Sequence, residues 1–450
     1  MIAPAKIRSL ASLASVAVAL HAMGQTQAPP GSTPSITTDR VLGTDAARAL
    51  GFRTNWQARL PLPAGSAWGG MAPQGGAVVV WDSAGAFLSS DASSGDLRWQ
   101  SQPIAETQRV GSVVSLNIQG KPVLLAVGDA RLVAMDPATG ENVGVSGYTH
   151  APVTGALATG EQIVFGSSGR HLSWLRVIER RFPRRDRPKV EPGRVNRLPE
   201  ANAVARTEIV NFETRSIGLD GAAAAAPVAG PDGDLVVTSD RGEVCRVNPD
   251  SGKKEWRVQV PGTISSAPAL LDGRVYMGAD DQYLRAFDYL KGHAIWKWFA
   301  PGPLHRPILA RGDLVLTQVP GTGLVALAAL PTDDAGSVKP DGERLWTCAE
   351  VTGDPITCTR EGIVAWDAGT RTLALVDARN GKLRRSERLP GVVVLQSTAS
   401  QDGDLYMLDA DGRLQRCSVL EPMPAPAPPS EPPAPVDAES SEDSGDEEGA

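Results

Sequence analysis

Asp240 to Trp256 read "DRGEVCRVNPDSGKKEW". Arg241-Gly242 and Asp250-Ser251-Gly252 are turn signals framing a short alternating apolar run, and a tryptophan follows the second glycine by four residues. The same Gly-to-Trp spacing recurs at Gly95 and Trp99, Gly252 and Trp256, Gly292 and Trp296, and Gly342 and Trp346. The turn survives without the tryptophan at "DPATG" (Asp136 to Gly140) and "DARNG" (Asp377 to Gly381). A repeat at fixed spacing fixes the architecture before any single residue is interpreted.

Eight short β-rich apolar runs are centred on Val79, Leu124, Val164, Val236, Tyr276, Val315, Val364 and Tyr406. Six of the seven intervals between them are 39 to 49 residues and one is 72. That is the length of four short strands, so the expectation is an all-β, eight-bladed β-propeller of four-stranded antiparallel blades. Each run ends in a Gly- or Asp-rich turn suited to a hairpin with a positive φ residue. The first glycine of the quoted stretch turns strand B into strand C, and the second ends the turn from C into the outer strand D. The tryptophan then lies on strand D, where it can pack between blades. Asn55 to Trp68 matches a D strand with no A to C strands before it, and Asp402 to Cys417 supplies inner strands with no D strand after them. The N-terminal strand is therefore expected to complete the last blade and remove a free sheet edge.

These residues resemble the pyrroloquinoline-quinone-type repeat family, whose motif is approximately Asp-x-x-(Thr/Ser)-Gly-x-x-x-Trp. It stands here at Asp91 to Trp99, Asn248 to Trp256 and Asp288 to Trp296, with partial copies elsewhere. The resemblance spans about Arg53 to Leu420. Within the family the chain is most similar to the BamB branch, propeller subunits of the outer-membrane β-barrel assembly machinery. That likeness implies a non-catalytic scaffold with envelope protein partners. BamB proteins are lipid-anchored through a cysteine after the signal; the first cysteine here is Cys245, so no residue carries that role over.

The flanks are of other composition. Met1 to Gly24 reads as a secretory signal, with Lys6 and Arg8 before a short apolar stretch and Ala22-Met23-Gly24 as the cleavage site. Residues 25–52 are expected to be a disordered linker, 53–420 the propeller, and 421–450 a proline-rich and acidic disordered tail. The tail from Glu421 holds nine acids and no Lys or Arg. The whole chain carries a net charge of -7; setting aside the tail and the two signal cations leaves the body near neutral, which gives no sign of a nucleic-acid partner. No stretch is long enough to span a bilayer. The expectation is an exported, periplasmic monomer.

Candidate chemistry is sparse. The quinone dehydrogenases that share the blade motif use adjacent cysteines, a calcium ion and a catalytic Asp. Cys245, Cys348, Cys358 and Cys417 include no adjacent pair and no CxxC, and read as buried thiols. A quinone-dependent oxidoreductase with calcium is the rival reading, and a cell-envelope glycan-binding propeller a third. "LDADG" (Leu408 to Gly412) and "GADD" (Gly278 to Asp281) lack the rest of a calcium loop, and the histidines form no zinc motif. The expectation is no cofactor, no metal and no catalytic residue. "VVVWD" (Val78 to Asp82) and "IVAWD" (Ile363 to Asp367) close strand B and read as blade-edge tryptophans with turn aspartates. The long interval holds the basic run Arg176 to Arg197, expected to be an expanded C to D loop projecting from one face. Arg180, Arg181, Arg184, Arg185 and Arg187 are its candidate partner-binding residues. The smaller insert Pro331 to Glu343 is expected to project from the same face. The acidic tail is expected to compete with an anionic partner for the basic run.

Overall fold

The computed structural model describes residues 40–61, 66–74, 76–104, 108–182 and 206–422. The signal, most of the linker, the tail from residue 423 and residues 183–197 of the basic run lie outside them. The described residues form eight four-stranded antiparallel sheets, each ordered A-B-C-D along the chain except the last. In the eighth, the N-terminal strand Phe52–Arg59 pairs with Arg413–Val419, which pairs with Leu405–Asp409 and then Val392–Ser397. Trp56 lies opposite Arg416, and Phe52 opposite Val419. The ring thus closes through its own termini as an eight-bladed propeller, and the A strands of neighbouring blades approach one another around the axis.

Blade 4 shows why the sequence takes this form. Its B strand, Leu235–Thr238, is buried at every position because blades pack on both of its faces. Its D strand, Lys254–Gln259, buries only Trp256, because the outer strand meets solvent on one side. The B to C turn needs glycine: Gly242 has φ +86°, and a methyl there would lie 2.1 Å from the Val260 carbonyl oxygen. In the C to D turn the Asn248 Oδ1 accepts from the Ser251 amide at 2.9 Å, and the Gly252 amide donates to the Asn248 carbonyl at 2.8 Å.

Three expectations change. Residues 40–52 do not all belong to a disordered linker. Thr44–Ala49 is a short helix, and Leu42, Ala47 and Leu50 are buried with Phe52. They share one cluster with Leu373 and Leu375 of blade 7 and Leu405 and Met407 of blade 8, so the segment wedges the seam between blades 7 and 8. The fully buried Gln415 fastens it, accepting from the Leu42 amide at 2.7 Å and donating to the Leu42 carbonyl at 2.9 Å.

The basic run is not a loop from its start. Strands C and D of blade 3 extend to His171–Phe182 and Arg206–Gly218, paired from His171↔Gly218 to Phe182↔Arg206. Arg176 to Phe182 are therefore strand. The blade 6 insert, finally, does not simply project. It folds back along the D strand of blade 5 (Ala294–Phe299), where the Lys297 amide donates to Pro340 at 3.0 Å and the Gly342 amide to Lys297 at 2.8 Å. One otherwise open sheet edge is covered from within the chain.

Candidate functional site

The motif residues form one repeated contact between blades. The indole of a D-strand tryptophan lies on the turn glycine of the next blade and donates its Nε1–H to a backbone carbonyl there. Trp99 reaches Pro137 at 2.8 Å, Trp256 reaches Tyr289 at 2.7 Å, Trp296 reaches Ala329 at 3.0 Å and Trp346 reaches Ala378 at 2.9 Å. Trp56 does the same across the closing seam, donating to Ala92 at 2.9 Å. A methyl on the facing glycine would fall 2.4 to 2.8 Å from the indole at Gly95, Gly140, Gly292, Gly342 and Gly381, so these positions have no room for a side chain. Asp91, Asp136, Asp288 and Asp377 each accept a backbone amide of their own turn through Oδ1. The Ser93 hydroxyl and Arg98 hold the Asp91 carboxyl well below the usual carboxylate range, and Arg384 lowers that of Asp377. These groups tie turns together; of them Asp136 also borders the groove beside Gly144.

At the junction of blades 3 and 4 the same place is held by Arg215. Its guanidinium donates to the carbonyls of Pro249 and Asp250, and its stem lies where a Gly252 methyl would stand. A planar cation with several donors can replace an indole N–H against two carbonyls. Nothing along the chain signals this contact, because no aromatic marks the position.

Two junctions lack the contact. Between blades 7 and 8 the position is Arg385, and the wedge of residues 42–52 fills the seam instead. Between blades 2 and 3 it is Gly144, and a methyl there would lie 1.9 Å from the Ile209 carbonyl oxygen. The extended blade 3 hairpin leans on this spot, with Asn211 donating to Ser146 at 2.7 Å. Beside it lies an open groove of about 440 Å³, lined in part by Pro122, Val123, Pro137, Val143 and Ile209. Lys121 and Glu179, 3.2 Å apart, sit at its edge. Of the candidate arginines, Arg180 is exposed on the hairpin and Arg181 lies on the same strand. Arg184, Arg185 and Arg187 lie outside the described residues. The groove and hairpin together are the largest departure from blade regularity, and the groove had no sequence signal beyond the long interval.

The channel wall formed by blades 8, 1 and 2 offers little to a quinone. It bounds about 480 Å³ and includes Gly69, Gly70, Gln74, Ser112, Val394 and Gln396. No cation there would hold the carboxylates of such a cofactor, and no acid would hold calcium, so this lining does not fit the group. The four cysteines are buried and unpaired. Burial pushes the Cys245 and Cys417 thiols up to about 12 and that of Cys358 to about 11. His150 lies 3.2 Å from Glu213 and its ring centre 4.9 Å from that of His171, but no group of three such residues among those described has the geometry to hold a metal. Trp81 packs beneath Gly69 and Gly70, while Asp82 and Asp367 accept amides of their own turns.

Comparison with known proteins agrees with the repeat reading. A family model described as outer membrane protein assembly factor BamB matches residues 48–165 and 200–330, more than half of the chain. The outer membrane protein assembly factor BamB of Nitrosomonas eutropha is 25% identical over 170 residues, 38% of this chain and 38% of that protein. The protein of the same description from Bordetella pertussis is 29% identical over 116 residues, 24% of this chain and 27% of its own length. The alignments thus span well under half of either relative. Among solved structures, BamB from Moraxella catarrhalis superposes with a TM-score of 0.58 at 17% identity, covering 83% of this chain and 99% of that one. The computationally designed Ika8 protein gives 0.55 at 14% identity, covering 79% and 96%. At these identities both likenesses speak for the fold alone.

Proposed function

We propose, since this chain belongs to the family of the outer membrane protein assembly factor BamB, that it is an exported, non-catalytic scaffold holding envelope proteins during the assembly of outer-membrane proteins. One observation carries the reading. The family match runs through the blades themselves, from the closing strand into blade 6, and not through an appended domain. What the residues supply is a rigid frame. Six of the eight blade junctions are locked by an indole or a guanidinium, and the ring is fastened by its termini. A frame of this kind presents turns and outer strands at fixed spacing, which lowers the ordering cost of binding a partner. Among the described residues no helix is long and apolar enough to cross a membrane.

The contact surface we assign is the blade 3 hairpin with the groove beside Gly144. It combines a concave apolar floor with a charged rim, the anatomy of a protein–protein contact. The test is affinity capture of the protein from its native envelope, with mass spectrometry of what is retained. Components of the outer-membrane assembly machinery should be recovered with the unaltered protein. They should be lost with Val143→Arg, which fills the groove with a half-buried cation, in a variant whose melting curve matches that of the unaltered protein. Recovery of no envelope protein by the unaltered chain would overturn the scaffold reading, and equal recovery by the variant would move the surface elsewhere.

A further inference from the structure

The chain ends its described course at a cationic site. Strand C of the last blade closes at Val419, and the Leu420 amide then donates to the Gly51 carbonyl at 2.9 Å. Glu421, the first acid of the tail, pairs with Arg360 in the A to B turn of blade 7. Around this point the N-terminal wedge and two turns of blade 7 converge. The Gly51 amide donates to Arg48, and a methyl on Gly51 would stand 2.9 Å from Glu361. Arg384 lies 3.8 Å from Glu361 and 2.5 Å from Asp377. The Asp377 side chain in turn accepts the amide of Arg379, three residues before Lys382. Arg48, Arg360, Arg379, Lys382 and Arg384 are all exposed here. Against them stand Glu361 and Asp377, both engaged by Arg384. Arg48, Arg379 and Lys382 have no acidic partner among the described residues.

We propose that the acidic end of the chain, residues 437–448, docks on this cationic end of blade 7. Eight acids follow Glu421 without a single Lys or Arg to neutralise them. The first acid of the series is already seated on Arg360, at the edge of the same site. Between Glu421 and Asp437 lie 15 residues rich in proline. Such a spacer places its far end at an effective concentration on the order of millimolar around its start, enough to populate a weak ionic contact. The basic run of blade 3 is the other cationic candidate, but blades 3 and 7 are four steps apart in a ring of eight. The tail would have to span the face of the ring to reach it. Docked, the tail shields the blade 7 cations from anionic partners, and it does so only at low ionic strength, because exposed charges are screened within about 8 Å at physiological salt.

Lysine is scarce enough to read the contact directly. The only lysine in the blade 7 site is Lys382, and the only one in the basic run is Lys189. Carbodiimide coupling of carboxylates to amines, applied to the full chain and followed by peptide mass spectrometry, should join Lys382 to residues 437–448. Mixing isotopically light and heavy protein separates links within a chain from links between chains. The links should be within one chain, strong at about 20 mM salt and lost at about 0.5 M, where the screening length is a few ångströms. Arg48→Glu with Arg379→Glu should cut them about ten-fold, the scale of two exposed ion pairs, with no change in melting temperature. Dominant links to Lys189, dominant links between chains, no tail links at low salt, or links indifferent to the two charge reversals would each overturn the proposal.

Discussion

If the indole-on-glycine contact locks the blades, removing the indole should make its facing glycine replaceable. Trp256 and Gly292 give the cleanest pair. Trp256 is 8% exposed, and the three atoms nearest a methyl on Gly292 all belong to its indole, at 2.6 to 2.9 Å. Trp256→Ala loses the buried ring and leaves the Tyr289 carbonyl without its 2.7 Å donor, a change that costs about 3–5 kcal/mol. Gly292→Ala alone meets two penalties. Its φ of +70° costs a non-glycine residue about 1–2 kcal/mol, and the clash adds about 1–3 kcal/mol. In the Trp256→Ala background only the backbone term remains. The double variant should therefore be more stable than the sum of the single changes predicts, by about 1–3 kcal/mol. Melting followed by circular dichroism resolves this. At about 2.1 cal/mol/K per residue over the roughly 350 described residues, 1 kcal/mol is about 1.4 °C, so Trp256→Ala should lower the midpoint by about 4–7 °C. Gly292→Ala should lower it by about 3–7 °C alone and by about 1–3 °C in the variant background. Additive shifts would refute the lock, because they would mean the glycine answers to its backbone alone.

Three shorter predictions follow from other parts of the ring. Deleting residues 40–60 removes both the closing strand and the Leu42–Leu50 wedge, leaving the Arg413–Val419 edge open; the product should aggregate, and a monomer with an unchanged melting curve would contradict the closure. The thiols of Cys245, Cys358 and Cys417 are pushed up to about 11–12 by burial, so at pH 8 they are neutral as well as inaccessible. Iodoacetamide should modify none of the four cysteines in the folded protein and all four after denaturation, and stoichiometric labelling of the native chain would show the burial to be wrong. The quinone with calcium should give neither a bound-cofactor spectrum nor dye-linked oxidation of alcohols or sugars, and turnover under those conditions would replace the scaffold with an oxidoreductase.

The blade count, the turn glycines and the closing strand were readable because each leaves a mark at fixed spacing. A turn Gly with a Trp four residues later stands at Gly95, Gly252, Gly292 and Gly342, often enough to mark the repeat. Arg215 was not readable, since it does the work of a tryptophan with different chemistry. Neither was the wedge, whose Leu42, Ala47 and Leu50 are too few and too widely spaced to look like core until blade 8 is assembled around them. The blade 6 insert read as a free loop because its partner, the Lys297 backbone, contributes no side-chain signal. The groove beside Gly144 was hidden for a similar reason. What marks it in the sequence is a missing tryptophan, and a glycine there is informative only once Ile209 is known to stand over it. The basic end of blade 7 is built from Arg48, Arg360, Arg379, Lys382 and Arg384, which are scattered along the chain and meet only through the closure.

The scaffold account stands or falls on outer-membrane protein assembly in the native cell. The fraction of outer-membrane barrel proteins that migrate as folded species in unheated gels should be measured in cells lacking this chain. The account predicts a reduced folded fraction, restored by the unaltered protein and not by Val143→Arg produced at the same level. An unchanged folded fraction in cells without the protein would contradict it.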